Sequence, residues 1–206
     1  MHVTITNLEN SKANEYARNH GLRTFSVYQG QWSAACRDLE RDILPMCRDE
    51  GMGIVPWGAL GGGNFKTEEQ RQALEGRDSN ARENDIKASR VLEVVSRRLN
   101  TSVTSIALAY MMHKAPYVFP VVSGRKVDHL KVNIEALTIE LSVDDIKEIE
   151  SSVPFDLGFP HTLLWGKTVP DVPQRLSILD MAGTFDYVPQ PQVWPSNRSQ
   201  TESTQS

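Results

Sequence analysis

The chain has 206 residues, 39% hydrophobic and 23% charged, with 22 Lys and Arg against 26 Asp and Glu for a formal charge of −4. That balance suits one globular domain or part of a larger one, and it argues against a globally basic nucleic-acid binder. No run reaches the ~18 apolar residues of a membrane span, and the first seven residues lack a basic stretch followed by an apolar one, so neither an anchor nor a secretory leader is expected.

Residues 9–20 carry helix formers and end at Gly21, a plausible C′ glycine. The β-rich stretch 24–29 predicts a short buried strand. A helix follows over about 38–50, where Leu39, Ile43, Met46 and Cys47 share one face. Pro45 predicts regular turns only from near Ile43, with the proline in the first of them. Residues 53–57 read as a second strand, followed directly by Gly58-Ala59-Leu60-Gly61-Gly62-Gly63. The polar stretch 66–85 reads as a long surface loop with room for some helix. A helix over 86–99 stops at Asn100, and Thr101 is the expected N-cap of the next, which runs to about 113. Its Val103, Ile106, Ala107 and Tyr110 should face a core. A third strand is expected over 117–122, then a turn at 123–126 and a helix over 127–137. Ser142, with Asp145 three residues on, opens a last helix. After Val153-Pro154 the periodicity fades, and the Pro-, Ser-, Gln- and Thr-rich 189–206 predicts a disordered tail.

Strands alternating with helices imply parallel pairing and right-handed crossovers. Three strands do not make a complete α/β domain, and a (β/α)₈ barrel takes ~250 residues. The expected fold class is therefore α/β, part of a larger domain. Cys36 and Cys47 have no neighbouring Cys or His at zinc spacing, so two reduced thiols in a cytoplasmic protein are expected.

Three groups follow predicted strands, where α/β proteins hold ligands. They are Gln29 with Gln31 and Trp32, Trp57 with the glycine loop, and the turn Ser123-Gly124-Arg125-Lys126. A glycine loop lets backbone N–H groups approach a pyrophosphate, an indole stacks on a flat heteroaromatic ring, and Arg and Lys at a helix start suit a phosphate monoester. Together they describe a dinucleotide lying across consecutive strand ends. Each has a plainer reading: a hinge, core filling, a solvated pair of cations. His20, His113, His129 and His161 have no metal spacing, and no nucleophile triad or carboxylate pair stands out, so no catalytic or metal residue is assigned.

The motifs Val27-Tyr28-Gln29-Gly30-Gln31-Trp32, Pro56-Trp57 with the glycine loop, and Gly124-Arg125-Lys126 through Leu137 resemble the aldo-keto reductase superfamily, specifically its fungal aryl-alcohol dehydrogenase and norsolorinic acid reductase group. Val153 to Pro160 resembles that group's C-terminal segment. The resemblance implies a (β/α)₈ TIM barrel, of which this chain carries about the last three βα units. Residues 1–162 would be the barrel portion, 163–188 an extension and 189–206 the tail. It implies reduction of aryl aldehydes or polyketide ketones with NADP(H). Gln29 matches the position on the nicotinamide carboxamide, and Trp57 the aromatic stacked beneath that ring. Gly58, Leu60, Gly61, Gly62 and Gly63 match the pyrophosphate loop. Gly124, Arg125 and Lys126 match the turn around the adenosine 2′-phosphate, with His129 and Asn133 near that phosphate and the adenine. Val132 and Ser123 depart from the group's usual carboxylate or amide and glycine. The family's Asp, Tyr, Lys and His tetrad belongs to barrel strands before residue 1. The isolated chain is thus expected to be inactive, either a truncated reductase or a non-catalytic NADP(H)-binding module or decayed paralogue. Its partners would be a small carbonyl or alcohol, no nucleic acid and no membrane. Self-association through exposed sheet edges is also expected.

Overall fold

Thr6 starts the first helix. Its hydroxyl accepts from the Glu9 N–H while the Glu9 carboxylate accepts from the Thr6 N–H at 3.0 Å, a reciprocal cap that satisfies two orphan donors. The computed structural model describes residues 2–3, 6–73, 81–159 and 162. Strand β1 (His2–Val3) precedes this helix, α1 (Asn7–Asn19). Then come β2 (Val27–Gln31), α2 (Leu39–Asp49), β3 (Gly53–Trp57), α3 (Glu68–Gln72), α4 (Glu83–Arg98), α5 (Val103–Lys114), α6 (Val127–Glu135) and α7 (Val143–Ser151). All of these lie in one unit that runs through Val153, and residues 154–159 and 162 belong to a second. In that second unit the Gly158 N–H donates to Asp156 Oδ1 at 2.9 Å.

The sheet is parallel, in the order β1-β2-β3, as helical crossovers require. Val27 pairs Gly53 and Gln31 pairs Trp57. The expected strand 24–29 starts later, at Val27, because the Phe25 N–H is taken by Asn14 Oδ1 of α1 at 2.8 Å. β1 occupies the neighbouring position to β2, a strand that the first residues did not announce.

The expected third strand, 117–122, forms only one bridge, Ile54 with Val118. The Ile54 N–H donates to Tyr117 O at 2.9 Å, the Phe119 N–H to Ile54 O at 2.8 Å, and the Val121 N–H to Pro56 O at 2.8 Å. The rung between the last two would need an N–H from residue 56, and proline has none. The segment thus lies beside β3 with its ladder interrupted at Pro56.

Side chains alternate across the sheet. Tyr28, Ile54, Pro56 and Val118 are buried on one face, with Leu92, Val95, Ile106, Met111 and Ile149 in the same core. Full burial of such a side chain is worth about 1.5–3 kcal/mol. α5 was expected to bury one face, yet every residue from Ser105 to Met112 is buried, because the helix packs against α4 on one side and α6 on another. Ser102 caps it, accepting the Ser105 N–H at 3.0 Å, where Thr101 was the expected cap. The Thr101 hydroxyl instead donates to Glu135 at 2.5 Å.

α2 holds regular turns from Leu39, before the expected start near Ile43, and carries Pro45 in its interior. Its first turn is fixed by a buried polar network. Glu40 accepts from the Trp32 indole at 3.0 Å and from Arg37 at 3.0 and 2.8 Å. Glu150 of α7 joins Arg37 at 3.3 Å and Lys114 at 2.6 Å, and accepts from the Tyr110 hydroxyl at 3.3 Å. Ser142 and Asp145 form the expected reciprocal cap of α7. The helical part allowed within 66–85 is α3 and the first residues of α4. Both cysteines are free thiols. No helix among the described residues is long and apolar enough to cross a membrane. The expected extension 163–188 and tail 189–206 lie outside the described residues.

Candidate cofactor site at the carboxyl end of the sheet

Gln29 is half-buried on β2, on the face opposite Tyr28, and its register partner on β3 is Val55. Trp57 ends β3 on that same face, two residues further along, and is 45% exposed. The Trp57 carbonyl accepts the Trp32 N–H at 3.2 Å, which fixes the chain leaving β2 beside the chain leaving β3.

Four glycines follow, and Gly58, Gly61, Gly62 and Gly63 all take positive φ. Gly61 is the most constrained. Its φ is 62°, and a Cβ would lie 2.8 Å from the Phe65 ring. The Gly61 N–H returns to Gly58 O at 2.9 Å and the Gly63 N–H to Leu60 O at 3.0 Å. This is a defined series of tight turns rather than a slack hinge.

α4 holds the far side of the loop. Asp85, Ser89 and Glu93 lie four apart on one helical face, all buried. Asp85 accepts from the Asn64 amide at 3.4 Å. Ser89 accepts the Lys66 N–H at 2.8 Å and donates to Lys66 O at 2.6 Å, and Glu93 accepts the Glu68 N–H at 2.9 Å. Arg71 donates to Ser89 at 2.8 Å and to the Lys66 carbonyl. These positioning residues went unread in the sequence. Their signal was present: a polar stripe at helical spacing where apolar residues should repeat.

The third group follows the segment 117–122. Because the Val121 N–H bonds Pro56 O, the turn at 123–126 leaves the same end of the sheet as the glycine loop. A Cβ on Gly124 would fall 2.7 Å from the His129 Cβ, so the turn and α6 are in close contact there. Arg125, Lys126 and His129 are exposed and Asn133 is half-buried. Among the described residues Arg125 and Lys126 have no carboxylate partner. Lys126 is the N-cap of α6 without a side-chain cap bond. The sheet order therefore brings Gln29, Trp57 with its loop, and the Arg125–Lys126 turn to three adjacent segments at one end. This is the crevice where parallel α/β sheets bind ligands. Among the described residues no group of three His, Cys, Asp or Glu could hold a metal.

Known proteins are similar to this sequence. Norsolorinic acid reductase B of Dothistroma septosporum is 47% identical over 195 residues, covering 89% of this chain and 50% of the relative. An aryl-alcohol dehydrogenase of Pestalotiopsis microspora is 49% identical over 187 residues, covering 86% of this chain and 47% of the relative. Norsolorinic acid reductase A of Aspergillus parasiticus is 54% identical over 155 residues, covering 75% and 40%. The chain thus spans about half the length of the curated relatives it matches. Residues 1–154 match the aldo/keto reductase family, and the chain belongs to that family.

Proposed function

We propose that this chain is the carboxyl-terminal arc of an aldo-keto reductase barrel and that its work is to bind NADPH. The observation that carries the reading is the Arg125–Lys126 turn, two exposed cations with no carboxylate partner among the described residues, at the sheet end that also carries Trp57 and the glycine loop. NADPH supplies a hydride to a carbonyl carbon. Trp57 would stack beneath its nicotinamide and Gln29 would hold the carboxamide. The backbone of 58–63 would cradle the pyrophosphate, whose close approach leaves no room for side chains. Arg125 and Lys126 would take the 2′-phosphate monoester, Arg through two parallel hydrogen bonds and Lys as a point charge. His129 and Asn133 would border the adenosine. The substrates of the whole reductase would be aryl aldehydes or polyketide ketones, in keeping with the names of the relatives.

Charge-assisted hydrogen bonds are worth roughly 1.5–3 kcal/mol each. Replacing both cations, Arg125→Ala with Lys126→Ala, should weaken NADPH binding by about one to four decades and leave NADH binding nearly unchanged. Fluorescence titration of both cofactors checks this, and equal weakening of the two rejects the 2′-phosphate role.

In the family the proton donor to the carbonyl oxygen is a tyrosine of a barrel strand outside the three motifs found here. Hydride transfer without a general acid loses roughly two to four decades of rate. The purified 206-residue chain should therefore bind NADPH yet fail to oxidise it with added aryl aldehyde. Steady aldehyde-dependent NADPH oxidation would show that the chain holds its own proton donor.

A further inference from the structure

We propose that Trp32 is a positioning residue of the candidate cofactor site. With Glu40 behind it, Trp32 fixes the peptide between Trp57 and Gly58, and so the Trp57 ring and the start of the glycine loop. The consequence for binding rests on the cofactor reading of Trp57, while the tie itself is measurable without a ligand.

Three observations carry it. The first is where the tie acts. The Trp57 carbonyl accepts the Trp32 N–H at 3.2 Å, Gly58 then takes a φ of 74°, and the Gly58 carbonyl accepts the Gly61 N–H at 2.9 Å. Rotation of the Trp57–Gly58 peptide would break the bond to Trp32 and re-aim the N–H groups of the turns that follow. Gln31, the register partner of Trp57, closes the other side: a Cβ on Gly58 would lie 3.6 Å from the Gln31 Cγ. The chain leaving β2 thus seats the chain leaving β3.

The second is the segment after β2. Connections run over the surface because water satisfies their backbone, yet Trp32, Ser33, Ala34 and Ala35 are all buried. Their polar groups find partners inside. Ser33 and Cys36 exchange backbone hydrogen bonds at 3.0 and 3.1 Å, and the Ala35 N–H donates to Ser33 Oγ at 3.2 Å. The anchor is itself anchored.

The third is the indole. Trp32 is fully buried, and its ring N–H donates to Glu40 Oε1 at 3.0 Å, a charge-assisted bond. Arg37 holds the same carboxylate at 3.0 and 2.8 Å, and Glu150 of α7 lies 3.3 Å from Arg37 and 2.6 Å from Lys114. Core filling alone needs neither the bond to Glu40 nor the bond to Trp57. The turn at 123–126 is held separately, by the Val121 N–H on Pro56 O and the close approach of Gly124 to His129. The tie therefore serves the nicotinamide end of the ligand rather than the 2′-phosphate end.

Fluorine NMR of the full 206-residue chain labelled with 5-fluorotryptophan reads the tie directly, with the Trp57 line among the four tryptophans assigned by Trp57→Phe. Trp32→Phe keeps a ring and removes the donor. Glu40→Gln keeps an acceptor and removes its charge. Ile106→Val, in the core of α5, is the control. The Trp57 line should be single in the wild type and the control, broaden or double in Trp32→Phe, and change in the same way to a smaller degree in Glu40→Gln. NADPH affinity should fall about tenfold in Trp32→Phe, as loss of one charge-assisted bond implies. Adenosine 2′,5′-bisphosphate, which lacks the nicotinamide, should keep its affinity within about threefold. A Trp57 line that stays single in both variants overturns the proposal. So does equal weakening of the two ligands, the result that a general loosening of the fold would give. Should Trp32→Phe not fold, the Trp57 line in Glu40→Gln decides. A wild type that binds neither ligand, with a Trp57 line that answers to both variants, counts against the cofactor reading and supports the tie.

Discussion

Glu40 leaves water on folding and keeps its charge. Burial pushes its carboxyl up, but the Arg37 guanidinium, the Lys114 ammonium and the Trp32 indole outweigh that and hold it below the usual carboxylate range. Arg37 is fastened in return: burial opposes its charge, while Glu40 and Glu150 raise its affinity for the proton. Such a pair is a weak source of net stability, and Glu150 still faces Arg37 when Glu40 loses its charge. Glu40→Gln should therefore cost about 1–3 kcal/mol, read as a fall in the urea midpoint with unchanged slope. A loss above ~3 kcal/mol would mean that Glu150 does not compensate for Glu40. Cys47 illustrates burial without such compensation: no charge offsets it, and its thiol is pushed up to about 12.

Among the elements, α2 is built against its own sequence. Pro45 is the seventh residue of the helix, where an α-helix needs an N–H and the pyrrolidine ring has none. The helix forms anyway because Leu39, Glu40, Leu44, Met46 and Cys47 are buried together and the Arg37–Glu40 pair fixes its first turn. Tertiary burial outweighs a local cost of ~3 kcal/mol. Pro45 itself is exposed. Pro45→Ala should thus restore the intrahelical bond without opening a cavity and raise stability by about 1–3 kcal/mol. Thermal unfolding checks this, and an unchanged or lower midpoint would show that the helix bends to suit proline. The capping boxes at Thr6 and Ser142 are the opposite case, since they need only four residues in order and form whatever surrounds them.

Across the whole molecule, His113 ties the end of α5 to the chain entering α7. Its Nδ1 lies 2.7 Å from the Ala109 carbonyl, and its Nε2 accepts the Leu141 N–H at 3.3 Å. That acceptance needs an unprotonated Nε2, so the Nδ1–H donates to Ala109. Burial lowers the affinity of the ring for a second proton. The unfolded chain, with an ordinary histidine near 6.5, then binds more protons than the folded one as pH falls below that value. Stability that is full above about pH 6.5 should be lost progressively on acidification toward the lowered folded value. Urea midpoints from neutral to mildly acid pH check this, and the loss should shrink in His113→Asn. A midpoint that rises on acidification would mean that the ring is charged in the fold.

Local order was legible in the residues because it depends on near neighbours. The strand 53–57, the Ser142–Asp145 cap and the parallel sense of the sheet were read from spacing. The turn run at 58–63 was readable because only glycine takes those backbone angles cheaply. Pairing across the chain was not legible. Whether 117–122 becomes a strand is decided by Pro56, sixty-odd residues earlier, which lacks the N–H that the ladder needs there. Whether 24–26 pairs is decided by Asn14, which takes the Phe25 N–H first. The polar stripe Asp85, Ser89 and Glu93 gains its partners only because the backbone of 64–68 lies on it in the fold. The sequence by itself determined the family, the glycine turn run at 58–63 and the Ser142 cap. The tertiary structure decided which backbone groups meet, because a hydrogen bond is settled by whichever partner arrives within 3 Å, and residues far apart in the chain carry no local sign of that meeting.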